Sequence, residues 1–222
     1  MFHPPKNRTN RLAAFALLLS VAFPGALAAA QPAPEARAAM DVTVTAVLDV
    51  LKAAGLSQAE RLEKIEGITR ESFDFETMAR LVLKREWRRF SADQRGDFVR
   101  EFSDYLAGSY GSRIDRYDQQ SVDMNGERLE ANGDVTVMTE IRGGEADGIE
   151  VNYRLRNRNG GWRVIDVVIE GVSLVSSFRS QFADVLSRGG PEEVLQRLIE
   201  RNAEAAPDEE SPPETAAAPA AA

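Results

Sequence analysis

The chain of 222 residues contains no cysteine and only one histidine, His3. Without cysteine, the protein has no disulfides, no thiolate metal ligands and no cysteine nucleophile. We expect His3 to be removed with a targeting segment, so the mature chain would lack imidazole as well. This excludes histidine zinc sites and Ser-His-Asp catalysis. Together these absences favour a binding protein over a hydrolase.

The N-terminal region lacks an apolar run long enough to span a membrane. Residues 12–23 are apolar except for Ser20, whereas a spanning helix needs about 20 such residues. Three basic residues precede this run and the small-residue segment 26–30 follows it, which is the pattern of a secretory signal peptide. We therefore predict that residues 1–30 are cleaved and that the protein is exported. The alternative is an uncleaved anchor.

The mature chain is poor in positive charge. Cleavage removes Lys6, Arg8 and Arg11 and leaves 24 basic against 35 acidic residues, a net charge of −11. Phosphate backbones and anionic lipid surfaces repel such a chain. We therefore expect no nucleic-acid partner, and we expect any contact with membranes to be transient or made through other proteins.

The two ends of the mature chain differ in composition from its middle. Residues 31–40 are interpreted as a short leader. Residues 203–222 contain only alanine, proline, acidic residues, serine and threonine, a composition typical of a disordered acidic tail. One folded domain is therefore expected over residues 41–202.

Four helices are predicted in the first half of this domain. Apolar spacing indicates the first over residues 41–55. Capping boxes that begin at Ser57 and Ser91 open the second and fourth, and Asp74 caps the third. The fourth carries a long apolar stripe with many aromatic residues, namely Phe98, Phe102, Tyr105, Leu106, Tyr110 and Ile114.

Between residues 121 and 169 the apolar spacing changes to every second residue, which indicates antiparallel strands with one buried and one solvated face. Asn125-Gly126 and Asn132-Gly133 compete as the turn that ends the first strand. Helical spacing returns after Gly171, and a last helix begins at Pro191. The predicted fold class is therefore α+β, with an antiparallel twisted sheet of about four strands covered on one face by helices.

Asp166 is the acidic residue with the best claim to a special role. It lies in the otherwise apolar segment 164–169, where an unpaired charge would be costly. A catalytic carboxylate would fit this position. So would a residue on the solvated face or a structural ion pair with Arg154 or Arg163, and we favour the structural interpretation. The sequence has no phosphate-binding or calcium-binding loop, and we predict no catalytic residue, no metal and no cofactor.

Several segments together carry a family resemblance. They are Phe73-Asp-Phe75 with the following residues up to Trp87, the long helix over 98–117 and, most specifically, the strand 151–156 together with residues 161–174 (GWRVIDVVIEGVSL) and 178–182 (FRSQF). In these segments the chain resembles the MlaC (toluene-tolerance) family of periplasmic phospholipid-binding proteins. The resemblance covers about residues 41–200. The chain departs from the family at Lys84, where members commonly have glycine. This difference affects only the expected conformation of the turn at that position.

The resemblance implies a soluble periplasmic carrier that holds a phospholipid by its acyl chains and carries it between the outer and inner membranes. Its partners would be an inner-membrane ABC transporter with an MCE-domain protein and an outer-membrane lipoprotein–porin complex. A related branch accompanies hopanoid biosynthesis, so hopanoid or another lipid is an alternative cargo. The implied fold is an NTF2-like cone that encloses an apolar cavity, and we expect a monomer.

Apolar spacing alone leaves open whether the interior is solid or hollow. Each methylene group removed from water is worth about 0.8 kcal/mol, so a lipid carrier must enclose most of the acyl tails. We therefore predict a dry pocket between sheet and helices, open at one end. Facing pattern and resemblance together indicate these lipid-binding residues: Phe102, Leu106, Tyr110, Val137, Val151, Tyr153, Val167, Ile169, Leu174 and Val175. The alternatives are a lipid-acting enzyme that uses Asp166 and an interaction module with a solid interior.

Overall fold

A computed structural model of the chain describes residues 33–114, 117 and 119–205, and the side chains of these residues except 108–114 and 205. The predicted signal peptide and most of the predicted acidic tail lie outside the described residues. The elements follow in this order: α1 (Pro34–Lys52), α2 (Gln58–Ser72), α3 (Phe75–Leu83), a 3-10 helix (Lys84–Arg89), α4 (Ala92–Ile114), β1 (Ser121–Leu129), β2 (Val135–Arg142), a short 3-10 turn (Gly144–Ala146), β3 (Val151–Arg158), β4 (Gly161–Ile169), β5 (Val172–Ser173) and α5 (Leu174–Ala205).

The strands form a single sheet in the order β1-β2-β3-β4-β5, and every neighbouring pair is antiparallel. This confirms the predicted α+β class, with the short β5 as a fifth strand. Both glycine signals around β1 have a role. Asn132-Gly133 forms the turn to β2, whereas Gly126 lies within β1 at a bulge with φ of 141°.

One face of the sheet is apolar and buried. Helix α1 lies across it, and Ala36 and Met40 are buried against it. Arg37 attaches the first turn of α1 to β1 through Glu127, at 3.4 Å. The helix begins at Pro34, so most of the predicted leader is part of the fold. The buried residues that define this apolar face are Val135, Val137, Leu155, Val164 and Val167.

The opposite face of the sheet carries charged side chains in ion pairs. Arg156 binds the buried Asp134 with two hydrogen bonds of 2.6 and 2.7 Å. Nearer the other end of the sheet, Arg142 binds the exposed Asp123 at 2.8 Å. The sheet therefore has one apolar buried face and one charged face, and the charged face is solvated in part, since Asp134 and Asp166 on it are buried.

Helices α3, α4 and α5 pack together in a separate helical core. At its centre lie four phenylalanines in stacked and edge-to-face contacts: Phe98, Phe102, Phe178 and Phe182. Helix α5 consists of two helical segments joined at Gly190, which has φ of 72°, and Pro191 follows it. This is the break predicted from the sequence. None of the described helices combines the length and hydropathy that crossing a bilayer requires.

Local capping signals determine where three of the helices begin. Ser57 and Glu60 form the predicted capping box of α2. Asp74 accepts a hydrogen bond from the backbone N–H of Thr77 at the start of α3. At α4, the side chain of Ser91 and that of the glutamine three residues later make the reciprocal bonds of a second box.

Lys84 ends α3 in a strained backbone conformation, with φ of 47° and ψ of −122°. We predict that Lys84→Gly raises the free energy of unfolding by about 1 kcal/mol. Relief of strain worth about 1–3 kcal/mol outweighs the extra chain entropy that glycine loses on folding. Urea denaturation measures the change. The control Lys64→Gly, inside α2, should lower stability by about 1 kcal/mol, and an equal loss in both variants would contradict the prediction.

Candidate functional site

Several predicted lipid-binding residues lie together on the apolar face. Val137 pairs with Tyr153, and Tyr153 pairs with Val167, so these three side chains form a row across β2, β3 and β4. Val151 and Ile169 pair in the next row. Val137 and Val167 are buried, whereas the other three are only partly buried. The face is therefore closed along its middle and more open at the end near Val151.

The remaining described candidates lie among the helices. Phe102, Leu106 and Val175 are buried in the helical core. Phe102 makes ring contacts with Phe98 and Phe178, with centroids 5.7 and 5.2 Å apart. Leu174 contacts both the helical core and the apolar face, so it joins the two groups. The side chain of the tenth candidate, Tyr110, lies outside the described residues.

The backbone pairing of β2 and β3 is interrupted just beyond the first row. Continuous pairing runs from Val135 to Val137, opposite Leu155 to Tyr153, and resumes in the same register at Glu140, opposite Glu150. In the interruption, the hydroxyl of Thr139 donates to the backbone carbonyl of Val151, and its backbone N–H donates to the side chain of the next residue of β3. Side chains thus replace the regular ladder beside Val151. The only sequence signal was a threonine at an inward-facing position.

Tyr153 brings a hydroxyl group to the apolar face. Burial there raises the pKa of Tyr153 from 10.0 to about 12. Within the described part of the chain, this hydroxyl makes no hydrogen bond. A neutral donor on an otherwise apolar surface is suited to a ligand that is mostly hydrocarbon and carries a few oxygen atoms.

Asp166 has a structural role that the sequence left open. It is 1% exposed, and its carboxylate accepts hydrogen bonds from the hydroxyl of Ser173 at 2.7 Å and from the backbone N–H of Val175 at 3.1 Å. Arg154 contacts the same carboxylate at 3.5 Å. The second predicted partner, Arg163, instead donates to the backbone carbonyl of Glu71. Asp166 therefore caps the start of α5 and neutralises one arginine, which agrees with the favoured structural interpretation.

Two concavities among the described residues are well enough formed to describe, and neither coincides with the candidate row. One, of about 590 Å³, lies beside the β3–β4 turn and is lined by several charged side chains, including Arg158 and Arg163. The other, of about 10 Å³, is no larger than the space a single water molecule needs. An apolar cavity between sheet and helices therefore stays a prediction.

The arrangement of helices over one face of an antiparallel sheet defines a class of α+β proteins with a known phospholipid-bound member. That member is a phospholipid-binding protein from Ralstonia solanacearum, solved in complex with a phospholipid. Our chain is similar to it, with 26% identity and a TM-score of 0.71, over 78% of this chain and 99% of that chain.

The chain belongs to the MlaC protein family, whose sequence profile matches residues 41–200. It is 27% identical over 103 residues to the toluene tolerance protein ttg2D of Pseudomonas putida, covering 46% of this chain and 48% of that protein. It is 24% identical over 123 residues to the intermembrane phospholipid transport system binding protein MlaC of Haemophilus influenzae, covering 53% and 56%. The chain thus matches about half the length of these curated relatives. The predicted family is confirmed.

Proposed function

We propose that the protein is a periplasmic carrier that binds a phospholipid by its acyl chains and moves it between the outer and inner membranes. The observation that carries this proposal is the fold shared with the phospholipid-bound Ralstonia protein over nearly all of that chain. The family match over residues 41–200 supports the same function. The exported state rests on the signal-peptide pattern of residues 1–30.

We infer that the acyl chains enter at the open end of the apolar face, beside Val151, Tyr153 and Ile169. These side chains are partly buried and pack against the buried cluster of the sheet, so a lipid tail would extend an apolar surface that already exists. Deeper residues such as Val137 and Val167 would be reached when α1 or α5 moves away from the sheet. Phe102, Leu106, Tyr110, Leu174 and Val175 would line the helical side.

The energetics of this exchange favour a closed and apolar site. About 0.8 kcal/mol is lost for each methylene group exposed to water, so a chain of about 16 carbons would cost on the order of 10 kcal/mol. Tight binding is compatible with release because only the difference in free energy between donor and acceptor sites must be supplied. The proposed donors and acceptors are an outer-membrane lipoprotein–porin complex and an inner-membrane ABC transporter with an MCE-domain protein, which a monomeric carrier would visit in turn.

Native mass spectrometry after mild purification tests the proposal. We expect about one phospholipid per chain, and we expect the lipid-free protein to extract labelled phospholipid from vesicles. Hopanoid or another lipid at the same stoichiometry would change the cargo but not the carrier function. A bound lipid that is chemically altered over time would support an enzyme instead. A protein that neither retains nor extracts lipid would contradict the proposal.

A further inference from the structure

The concavity of about 590 Å³ beside the β3–β4 turn is a groove with positively charged walls. Arg70 of α2, Arg158 of β3 and Arg163 of β4 line it, and we call it the arginine groove. Among the described residues that line it, Asp74 is the one carboxylate. Phe73 and Phe75 form an aromatic pair in the same groove, with ring centroids 5.7 Å apart.

The arginine groove is separate from the proposed lipid entry. Val151 and Arg158 lie at opposite ends of β3, which at about 3.3 Å per residue puts them roughly 23 Å apart. Leu155 and Val164, each 1% exposed, close the apolar face between them. A lipid headgroup at the open end near Val151 would therefore not reach these arginines, so the groove is not part of the proposed lipid site.

The guanidinium groups of the groove keep unused hydrogen-bonding capacity. Arg70 contacts Asp104 at 3.2 Å and Glu66 at 3.9 Å, both through one nitrogen. Arg158 contacts Asp74 only at 3.6 Å, and side-chain exposures of 56% for Arg70 and 50% for Arg158 leave both accessible. Both oxygens of Asp74 are also bound by Thr77. Since each guanidinium has five N–H donors, the groove can bind further carboxylates.

The described end of α5, which precedes the acidic tail in the sequence, lies close to one side of the arginine groove. Asn202, in the last turn of α5, donates to the backbone carbonyl and the carboxylate of Glu101 in α4, at 3.0 and 2.9 Å. Arg70 of the groove binds Asp104, one turn further along α4. The end of α5 and the edge of the groove are thus fixed to adjacent turns of one helix, about 4.5 Å apart along its axis.

We propose that residues 208–214 of the C-terminal tail bind in the arginine groove. Four of these seven residues are acidic (Asp208, Glu209, Glu210 and Glu214), and residues 203–222 contain no lysine or arginine. Described helix α5 ends at Ala205. At no more than about 3.6 Å per residue, position 210 lies within roughly 18 Å of it and position 214 within roughly 32 Å. Because the end of α5 and Arg70 are fixed to adjacent turns of α4, a segment of this length can reach the arginine groove.

Covalent attachment favours this segment over an acidic segment of another protein. The net charge of −11 in the mature chain repels a separate acidic peptide at long range. A tethered segment is present at a high effective concentration, set by the short linker, and needs no encounter from solution. The contact should weaken with salt, because the Debye length falls from about 10 Å at 0.1 M to about 3 Å at 1 M. An acidic partner would have to displace the tail to use the groove.

Paramagnetic relaxation enhancement on the full chain tests the proposal. Because the chain has no cysteine, Ser211→Cys provides a single site for a nitroxide label. We expect the backbone amides of residues 70–75 and 158–163 to lose more than half of their intensity, and those around Val151 to keep theirs. High salt should restore the lost signals. Uniform broadening, or broadening centred elsewhere, would overturn the proposal.

Two matched double variants separate groove binding from a general charge effect. Arg158→Glu with Arg163→Glu should abolish the broadening. Arg128→Glu with Arg142→Glu makes the same change of net charge at exposed arginines outside the groove and should retain it. If both double variants lose the broadening equally, or both retain it equally, the proposal is overturned.

A second measurement does not depend on the folding of these variants. Deletion of residues 206–222 should shift the amide resonances of residues 158–163, and an added peptide of that sequence should partly restore them. Unchanged resonances after deletion would also overturn the proposal. This experiment involves no lipid, so its outcome is independent of the proposed carrier function.

Discussion

Replacement of Asp166 by alanine is expected to lower the free energy of unfolding by about 1–3 kcal/mol. Loss of this helix cap leaves a buried N–H without an acceptor, which costs about 1–3 kcal/mol. The group stranded in this way is the backbone N–H of Val175, a residue that is 3% exposed. Arg154 adds less, because its side chain is 39% exposed and can turn to water. Chemical denaturation measures the change.

The matched control for this substitution is Asp123→Ala. Asp123 also lies on the charged face and pairs with an arginine at 2.8 Å, but its side chain is 53% exposed. Removing an exposed pair of this kind should cost less than about 1 kcal/mol. Similar losses in the two variants would show that the buried position of Asp166 carries no special stabilisation.

The Asp166 site also bears on the enzymatic alternative. Its carboxylate is committed to Ser173, Val175 and Arg154, and these contacts fill the positions that a substrate would need. If the protein is a carrier, a folded Asp166→Asn variant should bind lipid and leave it chemically unchanged, and the wild-type protein should do the same. Slow conversion of bound lipid by the wild-type protein alone would instead support catalysis.

Val151→Glu is expected to weaken retention of phospholipid by at least about thirtyfold. A carboxylate at this position would face Ile169 and the proposed acyl chains without a partner. Burying an unpaired polar group costs about 2–7 kcal/mol, and 2 kcal/mol already corresponds to about a thirtyfold change in affinity. Because Val151 is only partly buried, the folded protein should tolerate the substitution when no lipid is bound. Extraction of labelled phospholipid from vesicles measures the loss.

Val172→Glu is the matched control for this experiment. Val172 is 53% exposed and belongs to β5, so the same change of side chain there should leave lipid extraction within about twofold of wild type. Circular dichroism establishes that both variants fold. If the folded Val151→Glu protein extracts lipid as well as the Val172→Glu protein, the proposed entry is misplaced.

The sequence predictions are most accurate where the signal involves residues that are close together in the chain. Ser57, Asp74 and Gly190 were interpreted correctly because capping and helix breaking involve neighbours only a few residues away. The two candidate turns near β1 could not be separated in this way. Their choice depends on the pairing of β1 with β2, which places Gly126 in a bulge opposite Met138.

The candidate lipid-binding residues show even more clearly that sequence signals do not predict contacts between distant segments. Spacing identified Val137, Val151 and Phe102 as inward-facing, and each lies on an apolar surface in the structure. Spacing did not indicate that Phe102 packs among phenylalanines of the helical core while the two valines share the sheet. Periodicity records which side of an element avoids water, but the partner that covers this side is chosen by the whole fold.

The sequence by itself therefore determined the α+β class, the family, and most helix ends and strands of this protein. Only the tertiary structure decided that α1 covers the sheet from Pro34 onward, that Asp166 caps α5, and that arginines from α2, β3 and β4 meet in one groove. The physical reason is that caps, turns and apolar spacing act over a few residues. Contacts between distant segments instead depend on how all the elements pack against one another in the complete fold.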